Sequence, residues 1–559
     1  MSKQQNITVF GIDLGTTNSC IAYADEYGKP NIVPNNEGDR TTPSVVLFED
    51  DDRRVVGKEA KNNAVLNPKQ TVDMVKRHMG EPGWRFEHNG AEHSAEEISS
   101  YILRKLAQDA EQSADITGIT VRDVVITCPA YFGIAEREAT AQAGELAGFN
   151  VREIINEPTA AAIMYGFQNE QDQVVLVYDL GGGTFDITVI EIKGGAITVV
   201  ATGGDHHLGG RDWDERVVMY LAQQWQQQTG SNSDPTESAE TLQDLWFQAE
   251  RAKHSLSARQ EAQVPVSHEG MRKSVLLPRD KFNELTASLL EQTISFTKST
   301  MDEARKRGYS RFDKILLVGG STKMPQVKER LEKEFKLPLQ LLDPDEAVAK
   351  GAAIYGQKLV LDQKIQHKIA EFTGANPEQV DVERTPERII ARARQEVARD
   401  SGMHIGSVKK LSGLTVTNVA SHSFGIVSTE KATYKEKIFN LVLVNDPLPA
   451  NKMQTFHTLE DNQETVELRV MENSLTQLII PDLSAGQEIG KASLPLAPGL
   501  PENAPIEVTF ELYRDGRLHV IGREPTSNNI IEADIQTSSG LSEAEKQEAK
   551  IRSNKVTVS

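Results

Sequence analysis

The stretch "FGIDLGTTNSCIAY", Phe10 to Tyr23, returns in altered form as "VYDLGGGTFDITVI", Val177 to Ile190. Each copy runs from an apolar segment through Asp-Leu-Gly and small or hydroxyl residues into a second apolar segment. The flanks read as two β-strands, with apolar positions at Ile12 and Leu14 in one copy and at Val177 and Leu180 in the other. Glycine at the bend permits a positive φ and lets backbone N–H groups approach a ligand. A row of such groups, with threonine hydroxyls beside it, is a cradle for phosphate. An aspartate cannot contact phosphate directly, since both are anionic. Asp13 and Asp179 therefore make sense facing a hydrated cation. One such hairpin alone is an ordinary tight turn, but two suggest a polyphosphate gripped from both sides. Neither is a Walker loop, because no G-x-x-x-x-G-K-[ST] occurs.

With 559 residues the chain has room for two to four domains. Its formal charge of −20 repels nucleic acid and anionic lipid, so neither is expected as a partner. The only cysteines, Cys20 and Cys128, sit in apolar stretches and read as buried small side chains. No apolar run reaches membrane-spanning length, and "MSKQQNITVF" lacks the core of a signal peptide. The expected setting is cytoplasmic.

From Ile7 to about Leu359, strands such as "VRDVVITCPAYF" alternate with helical patterns such as "AEEISSYILRKLAQDAEQ" and "MPQVKERLEKEF". That is α/β organisation, assigned to residues 1–360. In residues 361–413, Leu361, Ile365, Ile369 and Phe372 fall at helical spacing before a stop at Gly374. A second helix there has Thr385 as N-cap, Pro386 at its first position and Gly402 as its stop. This segment reads as a charged helical module added between two domains. Residues 414–540 read as a small antiparallel β domain. "TVELRV" alternates Val466, Leu468 and Val470, and "PIEVTFELYRDGRLHVIG" alternates about a turn at Asp515-Gly516. Residues 541–559 open a short helix with a capping box, Ser542 and Glu545, and end in the β-like "KVTVS".

The strings "GIDLGTTNSC", "VKRHMG", "TCPAYF", "IINEPTAAAIMYG", "DLGGGTFD", "GGDHHLGGRDWD", "AERAKHSLS", "LVGGSTKMP" and "LDPDEAVAKGAA", in this order, closely resemble the ATPase domain of the 70-kDa heat-shock chaperone family, the DnaK-like proteins. "SFGIVST", "TFHTLEDNQETVELRV", "PIEVTFELYRDGRLHV" and "SSGLSEAE" resemble that family's peptide-binding β-sandwich. The resemblance implies a two-lobed, actin-like ATPase followed by a β-sandwich and a short terminal helix, with ATP and Mg²⁺ as cofactors and K⁺ as a further candidate.

It implies that Gly15, Thr16, Thr17 and Asn18 hold phosphate from one side, and Gly181, Gly182, Gly183 and Thr184 from the other. Asp13 and Asp179 would face magnesium through water. Lys76 would place the attacking water, while Glu157 and Asp186 orient water and metal. On the adenosine side the matching residues are Glu250, Lys253, Ser257, Gly320, Ser321 and Asp345, and Gly209, Gly210 and Gly319 are further nucleotide-binding residues that the resemblance implies. His254 and Lys323 stand where the family has two stacking arginines. Pro129 and Arg137 match an interdomain coupling pair. Ile426, Ser428, Thr429, Phe456, Leu459, Val466 and Leu468 match the peptide groove and its arch, although apolar residues at period two are equally core residues of a sandwich. Glu153 and Asn418 replace an arginine and a linker aspartate that receive J-domain partners, so stimulation by ordinary J-domain proteins is expected to be weak. The closing helix is too short for a bundle, so peptide binding without a lid is expected.

The function implied is an ATP-dependent chaperone for unfolded or extended polypeptides, with an exchange factor as a candidate partner. An actin-like ATPase whose β domain docks one native partner is the alternative. A sugar kinase lacks support.

Overall fold

The structure, a computed structural model, describes residues 8–559 except 114, 115, 117, 170, 383, 515 and 536–540. Asp515 of the expected turn, and Ser538 to Gly540 of the last matched string, lie outside the described residues.

The repeated motif is a repeated topology. The strands Val9–Asp13, Asn18–Ala24 and Pro30–Ile32 form an antiparallel meander, and Asp123–Cys128 and Asn150–Asn156 add in parallel on its open side. The second sheet repeats this plan. Gln173–Leu180, Phe185–Lys193 and Ala196–Asp205 form the meander, and Lys314–Val318 and Leu339–Leu341 add in parallel. The strands of each hairpin are buried on both faces, because helices cover both. The expected alternation is therefore replaced by near-continuous apolar runs. Leu14 falls one residue past its strand but is still buried.

The helix Ala347–Thr373 packs on Val9–Asp13 and on the helix Glu157–Gln168, so it touches the first strand of one sheet and the apolar core of the other. It also runs straight through residue 360, where a domain boundary was expected. Leu361, Ile365 and Ile369 share one apolar core with Ile390 and Val397 of the helix Glu387–Ser401, Val408 and Leu411 of the helix Ile405–Ser412, and Ile190 and Ile192 of the second sheet. Residues 361–413 thus pack into the α/β body. Gly374 and Gly402 end their helices in the left-handed conformation, with φ 71° and 73°. Thr385 is not the N-cap. Its hydroxyl donates back to Asp381 O at 2.7 Å, and Pro386 takes the cap position with the helix starting at Glu387.

The strand Thr415–Thr417 then joins the edge of the second sheet, parallel to Ala196–Thr198. Beyond it, strands from Ser423 to Ile535 form two antiparallel sheets of five and four strands around one core, a β-sandwich. The last helix, Glu543–Lys555, carries the expected capping box between Ser542 and Glu545. It lies against the helices Ala95–Gln112 and Ile134–Leu146 of the α/β body, and the strand Thr557–Val558 pairs with Arg53–Val56 of the same body.

Candidate functional site

The two hairpin turns meet tip to tip. A side chain at Gly182 would place its Cβ 1.7 Å from Thr17 Oγ1 of the opposite hairpin, so the two approach as closely as glycine allows. The first turn is closed on itself. A Cβ at Gly15 would stand 2.0 Å from Asn18 O, Ser19 Oγ accepts from Gly15 N at 3.1 Å, and Ser44 Oγ donates to Gly15 O at 2.7 Å. The second turn is fixed from outside. Arg77 donates from Nε and Nη2 to Gly183 O at 3.1 and 2.9 Å, and from Nη2 to Asp212 at 2.6 Å.

Between and beside the turns is a cavity of about 350 Å³. Nearly every residue assigned to phosphate, metal and adenosine contact lines it. The exceptions are Gly183, Gly209, Gly210 and Asp186, which stand directly behind the wall. Gly209 and Gly210 lie against the second turn, where Gly210 N donates to Gly181 O at 3.0 Å.

Asp13, Glu157, Asp179 and Asp186 are buried around Lys76. Lys76 Nζ donates to Glu157 Oε1 at 2.5 Å. Burial opposes the charge on Lys76, but Glu157 and Asp13 outweigh it and hold the ammonium above its ordinary value. Burial, then the charge of Glu157, lifts Asp13 to about 7 and Asp186 to about 8, and moves Asp179 strongly in the same direction. Thr127 Oγ1 donates to Asp13 Oδ1 at 3.3 Å, and Tyr131 N to Asp186 Oδ1 at 3.2 Å. Asp186 Oδ2 is buried without a partner. Such an excess of buried acid fits a cation. Among the described residues no three metal-ligating side chains converge, so that cation would share its ligands with water and phosphate.

On the adenosine side, Lys253 Nζ donates to Asp214 at 2.7 Å and to Gly210 O at 3.0 Å. Lys61 bridges to Glu250 at 2.6 Å. Lys323 is paired with Asp345, and the His254 side chain is 73% exposed at the cavity mouth. Both cysteines are free and buried, and Cys20 Sγ donates to Asp345 O. Sequence reasoning missed Thr127, Arg77, Asp212, Asp214 and the apolar wall of Val318, Met324, Pro344 and Val348. Arg77 had a signal, since it follows Lys76 in "VKRHMG". Thr127 opens the quoted string "TCPAYF", but its contact with Asp13 depends on parallel pairing across more than a hundred residues.

Pro129 and Arg137 sit where the sandwich meets the α/β body. Pro129 O accepts from Phe132 N, and Arg137 donates to Phe132 O and Asn156. Ser421 of the sandwich donates to the same Phe132 O at 3.3 Å. Ile134 N donates to Glu472 Oε1 at 3.4 Å, and that oxygen lies 3.3 Å from His422 Nδ1. Asn418 accepts from Thr159, and Glu153 from Tyr355. In the sandwich, Ile426 and Leu468 are closed into the core at 3% and 1% exposure, while Phe456 and Val466 are half-buried at its edge. Ser428 Oγ is buried without a partner, and Thr429 and Leu459 are half-buried.

The family model described as Hsp70 protein covers residues 9–367 and 363–558, nearly the whole chain. Members of that family are ATP-dependent chaperones that bind Mg-ATP and unfolded polypeptides. The duplicated hairpins, the acid-rich cavity between them and this match together place the chain in the 70-kDa heat-shock protein family.

Proposed function

We propose that this chain is an ATPase of the two-lobed, actin-like kind whose β-sandwich captures extended apolar segments of unfolded proteins. The observation that carries the reading is the pair of interlocked hairpins over a cavity where Asp13, Glu157 and Asp179 gather around Lys76. The backbone N–H groups and hydroxyls of Gly15 to Asn18 and Gly181 to Thr184 would bind the phosphates. Asp13 and Asp179 would hold magnesium through water, and the ion supplies charge neutralisation at the phosphates when bound. Lys76, kept charged and aimed by Glu157, offsets negative charge where the terminal phosphate lies. Asp186 Oδ2, buried and unpaired, is suited to orient a water.

The closure of Ile426 and Leu468 into the sandwich core favours a second reading, a β domain dedicated to one native partner. One experiment tests both. Magnesium-dependent ATP hydrolysis is measured together with binding of unrelated fluorescent apolar peptides under ATP and ADP. Slow hydrolysis with nucleotide-dependent binding of many peptides is expected. Hydrolysis with no peptide binding in either state would leave the ATPase and overturn the chaperone reading.

A further inference from the structure

The sandwich is joined to the α/β body at both of its ends, and the two joints differ. At the entry end the strand Thr415–Thr417 is three residues long and half exposed along its edge of the second sheet. At the exit end the chain is built into the body. Thr557 N donates to Asp52 O at 2.8 Å, Ser559 N to Arg54 O at 2.9 Å, and Val56 N to Ser559 O at 2.9 Å, which makes Thr557–Val558 an added strand beside Arg53–Val56. Val556 and Val558 are 5% and 6% exposed and belong to the same apolar core as Phe48, Ile98 and Tyr101.

The helix before this strand is fixed at both ends. Arg104 donates to Ser553 Oγ at 3.2 Å and to Val556 O at 2.9 Å, taking up a carbonyl just past the helix. Arg552 Nη2 pairs at 2.8 Å with Glu97, a fully buried carboxylate that also accepts from Tyr101 OH at 2.9 Å. At the other end Leu541 and Ala549 pack on Leu146. Arg552 is one of three partners of Glu97, beside Tyr101 and His93, and Val556 and Val558 cannot leave the core without exposing apolar surface.

The structure assigns residues 542–559 the part of a fixed strap, which keeps the exit end of the sandwich on the α/β body in every nucleotide state. This goes beyond the ATPase and peptide-binding reading, because it concerns which of the two joints is able to open. The strap also sets how far the sandwich can travel. Leu541 is the sixth residue after Ile535, in the last sandwich strand, so chain length alone limits their separation to about 20 Å. If the entry strand lets go, the sandwich stays within that radius, at an effective concentration on the order of millimolar, and rejoins the body. Nucleotide then acts by changing the entry strand and the shape of the sandwich, while the domains remain together.

The full-length protein tests this. Amide hydrogen exchange is followed at Val56, Thr557 and Ser559 with Mg-ADP and with Mg-ATP, alongside the radius of gyration in both states. Protection by at least about a hundredfold at all three amides in both states is expected, with no expansion in ADP. The variant Val556→Asp with Val558→Asp should expand in ADP while still binding nucleotide. Arg104→Gln, a milder change, should raise exchange at Thr557 several-fold, and it decides the matter if the double variant fails to bind nucleotide. Loss of protection in ADP would overturn the strap, as would a nucleotide-binding double variant that keeps the wild-type radius in ADP, or an Arg104→Gln protein that exchanges like wild type.

Discussion

The cavity between the hairpins and the seam between sandwich and α/β body both bury ionisable groups, but they balance them differently. At the hairpin end of the cavity Asp13, Glu157, Asp179 and, behind the wall, Asp186 surround Lys76, and burial drives three of the acids toward protonation. At the seam bases stand among the acids. Glu472 lies beside His422, with Arg137 near, and Glu97 is paired with Arg552 and hydrogen-bonded to His93. A charge set that does not balance within the protein is completed from outside, by a cation and a ligand. A set that balances internally holds two parts of the chain together.

Removing Lys76 from among these acids should have the largest effect. Lys76→Ala is expected to lower ATP turnover by about 10²–10³-fold, the usual loss for one preorganised donor, while nucleotide still binds. Single-turnover hydrolysis beside calorimetric nucleotide binding checks this, and wild-type turnover would erase the contrast with the seam.

A smaller effect is expected from protons at the seam. Burial raises Glu472 to about 8 and lowers His422 to about 3, so the joined pair carries one proton across neutral pH. Apart in water, with ordinary values near 4.5 and 6.5, the pair also carries one proton between those values, none above and two below. Joining therefore takes up a proton above about pH 6.5 and releases one below about pH 4.5. The contact should be strongest between these limits and weaken by up to tenfold per unit as pH rises from about 6.5 to 8. Glu136, Arg137 and Glu138 face Glu472 from the helix Ile134–Leu146, and His206 and Arg137 face His422. Exchange protection of the Ile134 amide against pH reads the effect, and Glu472→Gln should flatten its high-pH arm.

The smallest effect is expected from the more exposed seam pair. Arg552→Ala leaves Glu97 buried, but Tyr101 and His93 remain and the Arg552 side chain is 39% exposed. The loss should be about 1 kcal/mol, seen as a drop of a few degrees in the unfolding midpoint. A drop as large as that of a fully buried broken pair, about 3–5 kcal/mol, would mean that the seam is no better balanced than the cavity.

The cavity was far more legible in the sequence than the seam. Each hairpin is a local string, so "DLGTTN" and "DLGGGT" announce both the turn and its chemistry, and Lys76 could be placed through its neighbours. Thr127 and the Arg77–Asp212 contact depend on partners 114 and 135 residues away, which no local pattern reveals. The helical spacing of residues 361–413 and their glycine stops were readable, but their packing was not. An amphipathic face does not say what covers it, and here the cover is the core beneath the second sheet. Thr385-Pro386 was misplaced by one position because threonine serves a turn as readily as a cap. "KVTVS" read as a strand without a sheet, since a strand of two residues carries no information about its neighbour.

That pairing has a consequence in time. Ser559 and Arg54 lie 505 positions apart, yet each is the other's edge partner. At about 5–20 residues added per second, roughly half a minute to a minute and a half separates the emergence of one from that of the other. Throughout synthesis the strand Arg53–Val56 has an open edge, and the core that takes Val556 and Val558 is unfinished. The portion of the molecule made first is thus among the last to be completed, and a nascent chain of this protein needs an edge kept free of strangers, a need its own class of activity exists to meet in others.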